Sequence, residues 1–263
     1  MAIKVIRQNY ANQQQFIENF IGEAKLVADL IHTNIVQTYH LGETNGVYFI
    51  AMELIRGVNL EQFAQQLGDK RRQLPKELAV FIASRICRGL AYAHAKADKD
   101  GRPLGLVHRD VSFKNIMIAF EGDVKLTDFG IAKAKGFLAD KEGEVVAGKA
   151  DFMSPEQAQL SPLDIDARTD VYSLGVLLYE LLTGHTPFDK ETFSKVGYDE
   201  MRRMIREDEP LRPSQRISTL EAAGKSTVSG RRGLEDRHLV RALRGELDWI
   251  VMRALEKDRS RRY

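Results

Sequence analysis

With 263 residues, 43% of them hydrophobic, the chain can bury a substantial core as one domain or a bilobed one, and its composition excludes a disordered protein. Charged residues make up 29% but nearly cancel to a formal net charge of +2, so the strong basic field of a dedicated nucleic-acid binder is missing and no nucleic-acid partner is expected. The one cysteine, Cys87, cannot form an internal disulfide, which fits a reducing, cytoplasmic setting, and core packing is its expected role.

Residues 2–7 read as a strand, and Phe16, Ile17, Phe20, Ala24, Leu26, Val27 and Leu30 follow at helical spacing. Two short apolar runs, 35–41 and 47–52, flank Glu43-Thr44-Asn45-Gly46 and predict a hairpin. After Gly57 the pattern turns helical. Leu78 to Ala95 is a long amphipathic candidate with Pro75 near its start, and Asp98 to Gly105 is a polar loop. Residues 168–183 form a strongly apolar stretch with Asp170 near its start and Gly184 at its end, the pattern of a buried helix. From Glu207 to Gly233 the chain becomes polar and basic, with Pro210, Pro213, Gly224 and Arg231-Arg232, and a long mobile insertion is expected there. Leu247 to Leu255 restores helical periodicity.

The longest apolar run, Ser173 to Leu182, is broken by Tyr179 and Glu180 and falls short of the ~20 residues that span a bilayer, so no membrane segment is expected in this chain. No basic stretch followed by an apolar run and a small-residue cleavage site opens it, so secretion of the chain as written is not expected either.

Three strings carry the chemistry: His108-Arg109-Asp110 with Asn115 behind it, Asp128-Phe129-Gly130, and Ser154-Pro155-Glu156. A lone Asp-Phe-Gly recurs by chance. Standing 18 residues beyond Asp110, after the strand-like Asp123 to Thr127, it is specific. In this order the strings resemble the catalytic loop, the magnesium-binding triplet and the Ala-Pro-Glu signature of the eukaryotic-like (Hanks-type) serine/threonine protein kinase family of bacteria.

The resemblance implies an α+β, bilobed protein-kinase-like fold. Residues 1–56 would form a partial N-lobe and hinge, with three strands plus one helix, and 57–263 a mainly helical C-lobe carrying the polar insertion at about 207–233. It implies transfer of the γ-phosphate of ATP, bound with Mg²⁺, to a serine or threonine hydroxyl of a protein substrate. Asp110 would be the base that takes the acceptor's proton, and Asn115 and Asp128 would hold the metal ions. Lys4, in Ala-Ile-Lys, and Glu23, 19 residues later, match the family's phosphate-anchoring lysine and its glutamate partner, although taken alone both are ordinary surface charges. Met52 would be the gatekeeper, the backbones of Glu53 and Ile55 would meet the adenine edge, Asn59 the ribose, and Ala2 and Met117 would sandwich the base. His32-Thr33-Asn34-Ile35-Val36 resembles the family's His-Pro-Asn-Ile-Val turn, Asp170 the aspartate that ties the central helix to the catalytic loop, and Glu156 with Arg262 a buried ion pair that serves folding.

Several positions depart from the pattern. Ser112 stands two residues after Asp110, where these relatives carry a lysine, and Lys149 stands where they carry a threonine, so an exchange is expected in which Lys149 supplies the ammonium and Ser112 the hydroxyl. Lys114 is the rival for that ammonium, or else a solvated loop lysine. Arg109 meets an activation-loop phosphate in relatives, but residues 131–153 hold no serine, threonine or tyrosine, so Asp140, Glu142 or Glu144 is expected to pair with it. The glycine-rich phosphate loop would precede the strand in which this chain begins, at Met1-Ala2-Ile3-Lys4. The expectation is therefore an N-terminally truncated domain, also short of most of its last helix, whose open sheet edge invites a partner. The alternative is a pseudokinase or lidless fragment acting as a nucleotide-binding or protein-interaction module.

Overall fold

The computed structural model describes residues 1–6, 14–70, 72, 74–129, 150–159, 165–188, 190–222 and 233–263. The chain runs β1 (Ala2–Val5), α1 (Gln14–Ala28), β2 (Thr38–Thr44), β3 (Val47–Met52), β4 (Gly57–Asn59), α2 (Leu60–Asp69), α3 (Lys76–His94), β5 (Ile116–Ala119) and β6 (Val124–Leu126). It continues α4 (Pro155–Ala158), α5 (Ala167–Thr183), α6 (Lys190–Lys195), α7 (Tyr198–Glu207), α8 (Pro213–Ala222), α9 (Gly233–Leu243) and α10 (Glu246–Ala254). Two compact units result, one from residues 1–60 with 84–142 and one from 61–83 with 143–263.

The first unit holds two antiparallel three-stranded sheets, ordered β1-β3-β2 and β4-β5-β6. Among the described residues strand β1 pairs with β3 on one side only, and its outward residues Ile3 and Val5 are exposed. On the other face Phe20 and Ala24 of α1 pack against Ile6 and Ile50, which is the apolar stripe that the helical spacing of 16–30 predicts. Asn45 and Gly46 both have positive φ, 51° and 77°, as a two-residue hairpin turn that matches the strand twist requires. The hairpin starts later than its hydrophobic pattern suggests, at Thr38 and not at residue 35. Ile35 instead bridges Leu126 in parallel, with the Val36 amide donating to the Leu126 carbonyl and the Leu126 amide to the Asn34 carbonyl, each at 2.8 Å.

That turn is held by side chains as well. The buried Asn34 amide donates to the Val124 carbonyl at 2.9 Å, and the His32 ring stacks on Tyr92 of α3 at 5.0 Å. Gly89 lets α3 approach, since a Cβ there would lie 2.9 Å from the Asn34 carbonyl. Lys96, just past α3, donates to the Asp29 carbonyl at 2.9 Å, placing a cation at the C-terminal end of α1.

The second unit is built around α5, in which Tyr172, Val176, Leu177 and Tyr179 are buried. Asp166 caps its N-terminus through the Arg168 amide at 2.9 Å, and Gly184, at φ 76°, closes its C-terminus as expected. Ser154-Pro155-Glu156-Gln157 forms a capping box: Ser154 Oγ accepts from the Gln157 amide at 3.3 Å and Gln157 Oε1 from the Ser154 amide at 3.0 Å. This box delivers Glu156 to Arg262, which grips it with two bonds of 2.7 and 2.9 Å. The remaining guanidinium N–H groups donate to the carbonyls of Arg168, Glu256 and Lys257, and Thr169 donates to Glu156 at 2.7 Å, so all five Arg262 donors are satisfied.

Two expectations are corrected. Cys87 is exposed, because Ile82, Ile86 and Leu90 occupy the buried side of α3 and residue 87 falls on the other. The polar stretch 207–233 contains α8, where Pro213 opens the helix and buried Ser214 donates to buried Asp248 through its amide at 3.0 Å and its hydroxyl at 2.6 Å. A polar side chain that a tertiary partner satisfies reads as loop in a sequence. Residues 223–232 of that stretch lie outside the described residues.

Burial pushes the Glu156 carboxyl up, but the Arg262 hydrogen bonds and charge, with Thr169, outweigh it and hold the group below the ordinary glutamate range. Its contribution to stability is therefore complete above the unfolded value near ~4.3 and is lost as pH falls through the lower folded value. Glu156→Gln is expected to destabilise the protein by about 3–5 kcal/mol at neutral pH and to flatten the acid limb of its stability profile, measured by urea unfolding. A loss below about 1 kcal/mol would put the pair in the class of surface ion pairs.

Candidate active site

Asp110, Asn115 and Asp128 all lie in the first unit, on neighbouring segments of chain. Between α3 and β5 the chain passes through His108-Arg109-Asp110 to a short 3₁₀ turn, Phe113–Asn115, which begins β5. The His108 imidazole is wholly buried and uses both nitrogens. Nδ1 accepts from the Asp110 amide at 3.3 Å, so Nε2 carries the proton and donates to the Thr127 carbonyl at 3.1 Å. Its ring lies 4.6 Å from that of Phe129. The Asn115 side chain donates to the Asp110 carbonyl at 2.9 Å, and the Asn115 carbonyl accepts from the Thr127 amide at 3.0 Å. Two hydrogen bonds thus lace the loop bearing Asp110 to the strand end bearing Asp128, and two more brace the loop itself.

Arg109 and Asp128 both adopt positive φ, 65° and 57°, which costs a non-glycine residue about 1–3 kcal/mol. The lacing on either side sustains that backbone. It turns the Asp128 carboxylate to Lys4, whose ammonium lies 2.8 Å from Oδ1, with the two side chains 34% and 44% exposed. A cleft beside this pair is lined by Lys4, Ile50, Met52, Thr127, Asp128 and Phe129. Glu23 sits on α1, but its side chain lies outside the described residues, so the expected Lys4–Glu23 pairing is not part of the described geometry.

The second sheet lines up two more of the expected residues. Asn59 on β4 pairs in register with Met117 on β5, both half-buried. Gly57 permits this pairing, because a Cβ there would fall 2.0 Å from the Ile118 carbonyl oxygen and 2.8 Å from Ala119 Cα. After β3, Glu53 and Ile55 are half-buried, with the Glu53 amide donating to the Gln37 carbonyl at 2.9 Å. Ser112 is half-buried with extended backbone, and its hydroxyl does not cap the 3₁₀ turn that follows. Lys114 is exposed. Gly130, Lys149, Asp140, Glu142 and Glu144 lie outside the described residues, and with them the Ser112–Lys149 exchange and the expected partner of Arg109.

No group of three or more His, Cys, Asp or Glu side chains able to hold a metal by themselves occurs among the described residues. One carboxylate with one amide oxygen suits a magnesium ion that takes its remaining ligands from water and phosphate. Sequence reasoning had no signal for the buried imidazole as the tie between the two loops, for the close approach at Gly57, or for an ion pair between Glu53 and Lys125, whose ammonium lies 2.9 Å from Glu53 Oε1.

The family described as the protein kinase domain matches residues 1–263, and the chain belongs to it. It is 38% identical over 213 residues to the tyrosine-protein kinase MasK of Myxococcus xanthus, covering 81% of this chain and 33% of that protein. It is likewise 38% identical over 201 residues to the serine/threonine-protein kinase PknL of Mycobacterium tuberculosis, covering 76% of this chain and 47% of the relative. With the serine/threonine-protein kinase PknB of Mycobacterium leprae it shares 33% identity over 271 residues, all of this chain and 36% of the other. The chain therefore spans between a third and a half of the length of these relatives. The crystal structure of the Mycobacterium tuberculosis PknI kinase domain superposes with a TM-score of 0.61 at 24% identity, over 99% of this chain and 78% of that one, which establishes the protein-kinase-like fold.

Gly57→Ala is expected to force β4 from β5, costing about 1–3 kcal/mol of stability and displacing Asn59 from Met117. Gly22→Ala, within α1 and with open space around it, should instead stabilise by about 0.5–1 kcal/mol. Thermal melts of the two variants check both signs.

Proposed function

We propose that the chain is the catalytic domain of a protein kinase that transfers the γ-phosphate of ATP to serine or threonine hydroxyls of a protein substrate. The observation that carries this is the 2.8 Å contact between Lys4 and Asp128 at one cleft, with the Asp128 strand end tied through Thr127 to the loop that bears Asp110 and Asn115. Asp128 and Asn115 would hold Mg²⁺, which when bound neutralises charge on the phosphates. Lys4, a compact ammonium, would hold phosphate oxygens, with Glu23 as its partner. The hinge backbone at Glu53 and Ile55, with Asn59 and Met117, would orient the nucleoside.

In the transfer the acceptor oxygen forms a bond to the γ-phosphorus and the bond from that phosphorus to the bridging oxygen breaks, releasing ADP. The acceptor proton passes to the Asp110 carboxylate. Holding the reactants in line is the main task, so a loop fixed by His108 and Asn115 suits the chemistry. Ser112 and Lys149 are assigned to the acceptor side. A serine or threonine acceptor is supported by the similarity to the serine/threonine-protein kinases PknL and PknB, whereas that to the tyrosine-protein kinase MasK points to tyrosine. No helix among the described residues is long and apolar enough to cross a membrane. A cytoplasmic signalling role is our reading, as is a partner on the open edge of β1, where Ile3 and Val5 are exposed.

Incubation with γ-labelled ATP, Mg²⁺ and a generic protein acceptor, followed by phosphoamino-acid analysis, tests the proposal. Label is expected on serine and threonine, falling by at least about 100-fold in Asp110→Asn. Label that persists in Asp110→Asn would remove Asp110 as the base, and label on tyrosine alone would overturn the acceptor class.

A further inference from the structure

Glu53 enters the functional reading only through its backbone, yet its carboxylate joins three segments. It accepts from the Lys125 ammonium, 2.9 Å from Oε1 and 3.0 Å from Oε2, and from the Gln37 amide at 3.2 Å. The end of β3, the entry to β2 and the middle of β6 meet at this one group. The Lys125 and Glu53 side chains are 14% and 26% exposed, shielded enough for the attraction to exceed that of a surface pair.

Where Lys125 stands gives the pair its meaning. In the β4-β5-β6 sheet Asn59 pairs with Met117 and Met117 with Lys125, so the three form one row across a single face. Val124 and Leu126, on either side of Lys125, are buried. The row begins with the residue read as the ribose contact, passes the residue read as the floor of the base and ends on a cation bonded to the hinge.

We infer that the Glu53–Lys125 ion pair fixes the hinge backbone against the Asn59–Met117–Lys125 row and so sets the slot that receives the purine ring of a nucleoside triphosphate, making both residues positioning residues for the nucleotide. This rests on the kinase reading above. Because the hinge meets the base, which is the same in ground state and transition state, the pair contributes uniform binding: its loss raises KM for ATP and leaves kcat in place. Asp128, three residues beyond Lys125, keeps its own ties through Thr127 to His108 and Asn115.

The experiment compares wild type, Glu53→Gln, Lys125→Met, their double variant and Lys125→Arg by ATP titration, by kcat and KM for ATP in phosphotransfer, and by thermal melting. Gln keeps an acceptor for the Gln37 amide and removes only the charge, Met keeps length without charge, and Arg restores the cation. Each neutralising variant is expected to raise the ATP dissociation constant and KM by about fivefold to twentyfold with kcat within about twofold, the double variant being no worse than the poorer single one and Lys125→Arg close to wild type. Unchanged KM in both single variants, a fall in kcat without a rise in KM, additive losses in the double variant, or failure of both single variants to fold would each overturn the inference. Wild type that binds no ATP would overturn the kinase reading and this inference with it, whereas wild type that binds ATP as its variants do would overturn the inference alone.

Discussion

The candidate site depends on one buried imidazole. His108 has no exposed surface, and each ring nitrogen has one partner, Nδ1 on the Asp110 amide and Nε2 on the Thr127 carbonyl. Only the neutral ring protonated on Nε2 satisfies both, so burial and hydrogen bonding select one tautomer. With that ring in place the loop and the strand end cannot slide past one another, and Asn115 completes the register from the other side. The positive φ values at Arg109 and Asp128 are tolerable on this account, since a strained backbone persists where its surroundings over-determine it.

The second unit rests on another fully satisfied polar group. Arg262 is buried with its five N–H donors placed on a carboxylate and three carbonyls, and its guanidinium lies 5.0 Å from the centre of the Tyr172 ring. A buried ion pair adds little net stability when complete, but removal of one partner leaves an uncompensated charge. It specifies the arrangement of α4, α5 and the segment after α10 more than it strengthens it. Burial pushes the neighbouring Tyr172 phenol up, as an apolar setting does to any acid that must leave a charge behind.

Much of the site was legible because catalysis ties residue type to chain spacing. Asp110, Asn115 and Asp128 lie on one short stretch of chain whose local hydrogen bonds bring them together, so their order predicted their proximity. Lys4 reaches Asp128 across 124 residues, a contact that only the structure shows, since the resemblance to a family paired Lys4 with Glu23. The expected core role of Cys87 failed because a helical face is set by neighbours several residues away, not by the polarity of one side chain. The expected mobility of 207–233 gives way to helix over Pro213–Ala222 because Ser214 and Asp248, polar in the sequence, satisfy each other in the interior.

The sequence by itself determined the first strand, the helix after it, the hairpin, the long helices and the cap at Gly184, because these follow from local periodicity and turn chemistry, while the fold class and the roles of the acidic groups came from motifs that resemble a known family. Only the tertiary structure decided that His108 ties the loop to the strand, that Gly57 admits β5, that Ile35 and Val36 leave the hairpin for β6, and that Glu53 meets Lys125. Each of these is a contact between segments distant in sequence, where distance, shielding from water and the absence of a side chain set the energy, and none of those quantities is written in the order of the residues.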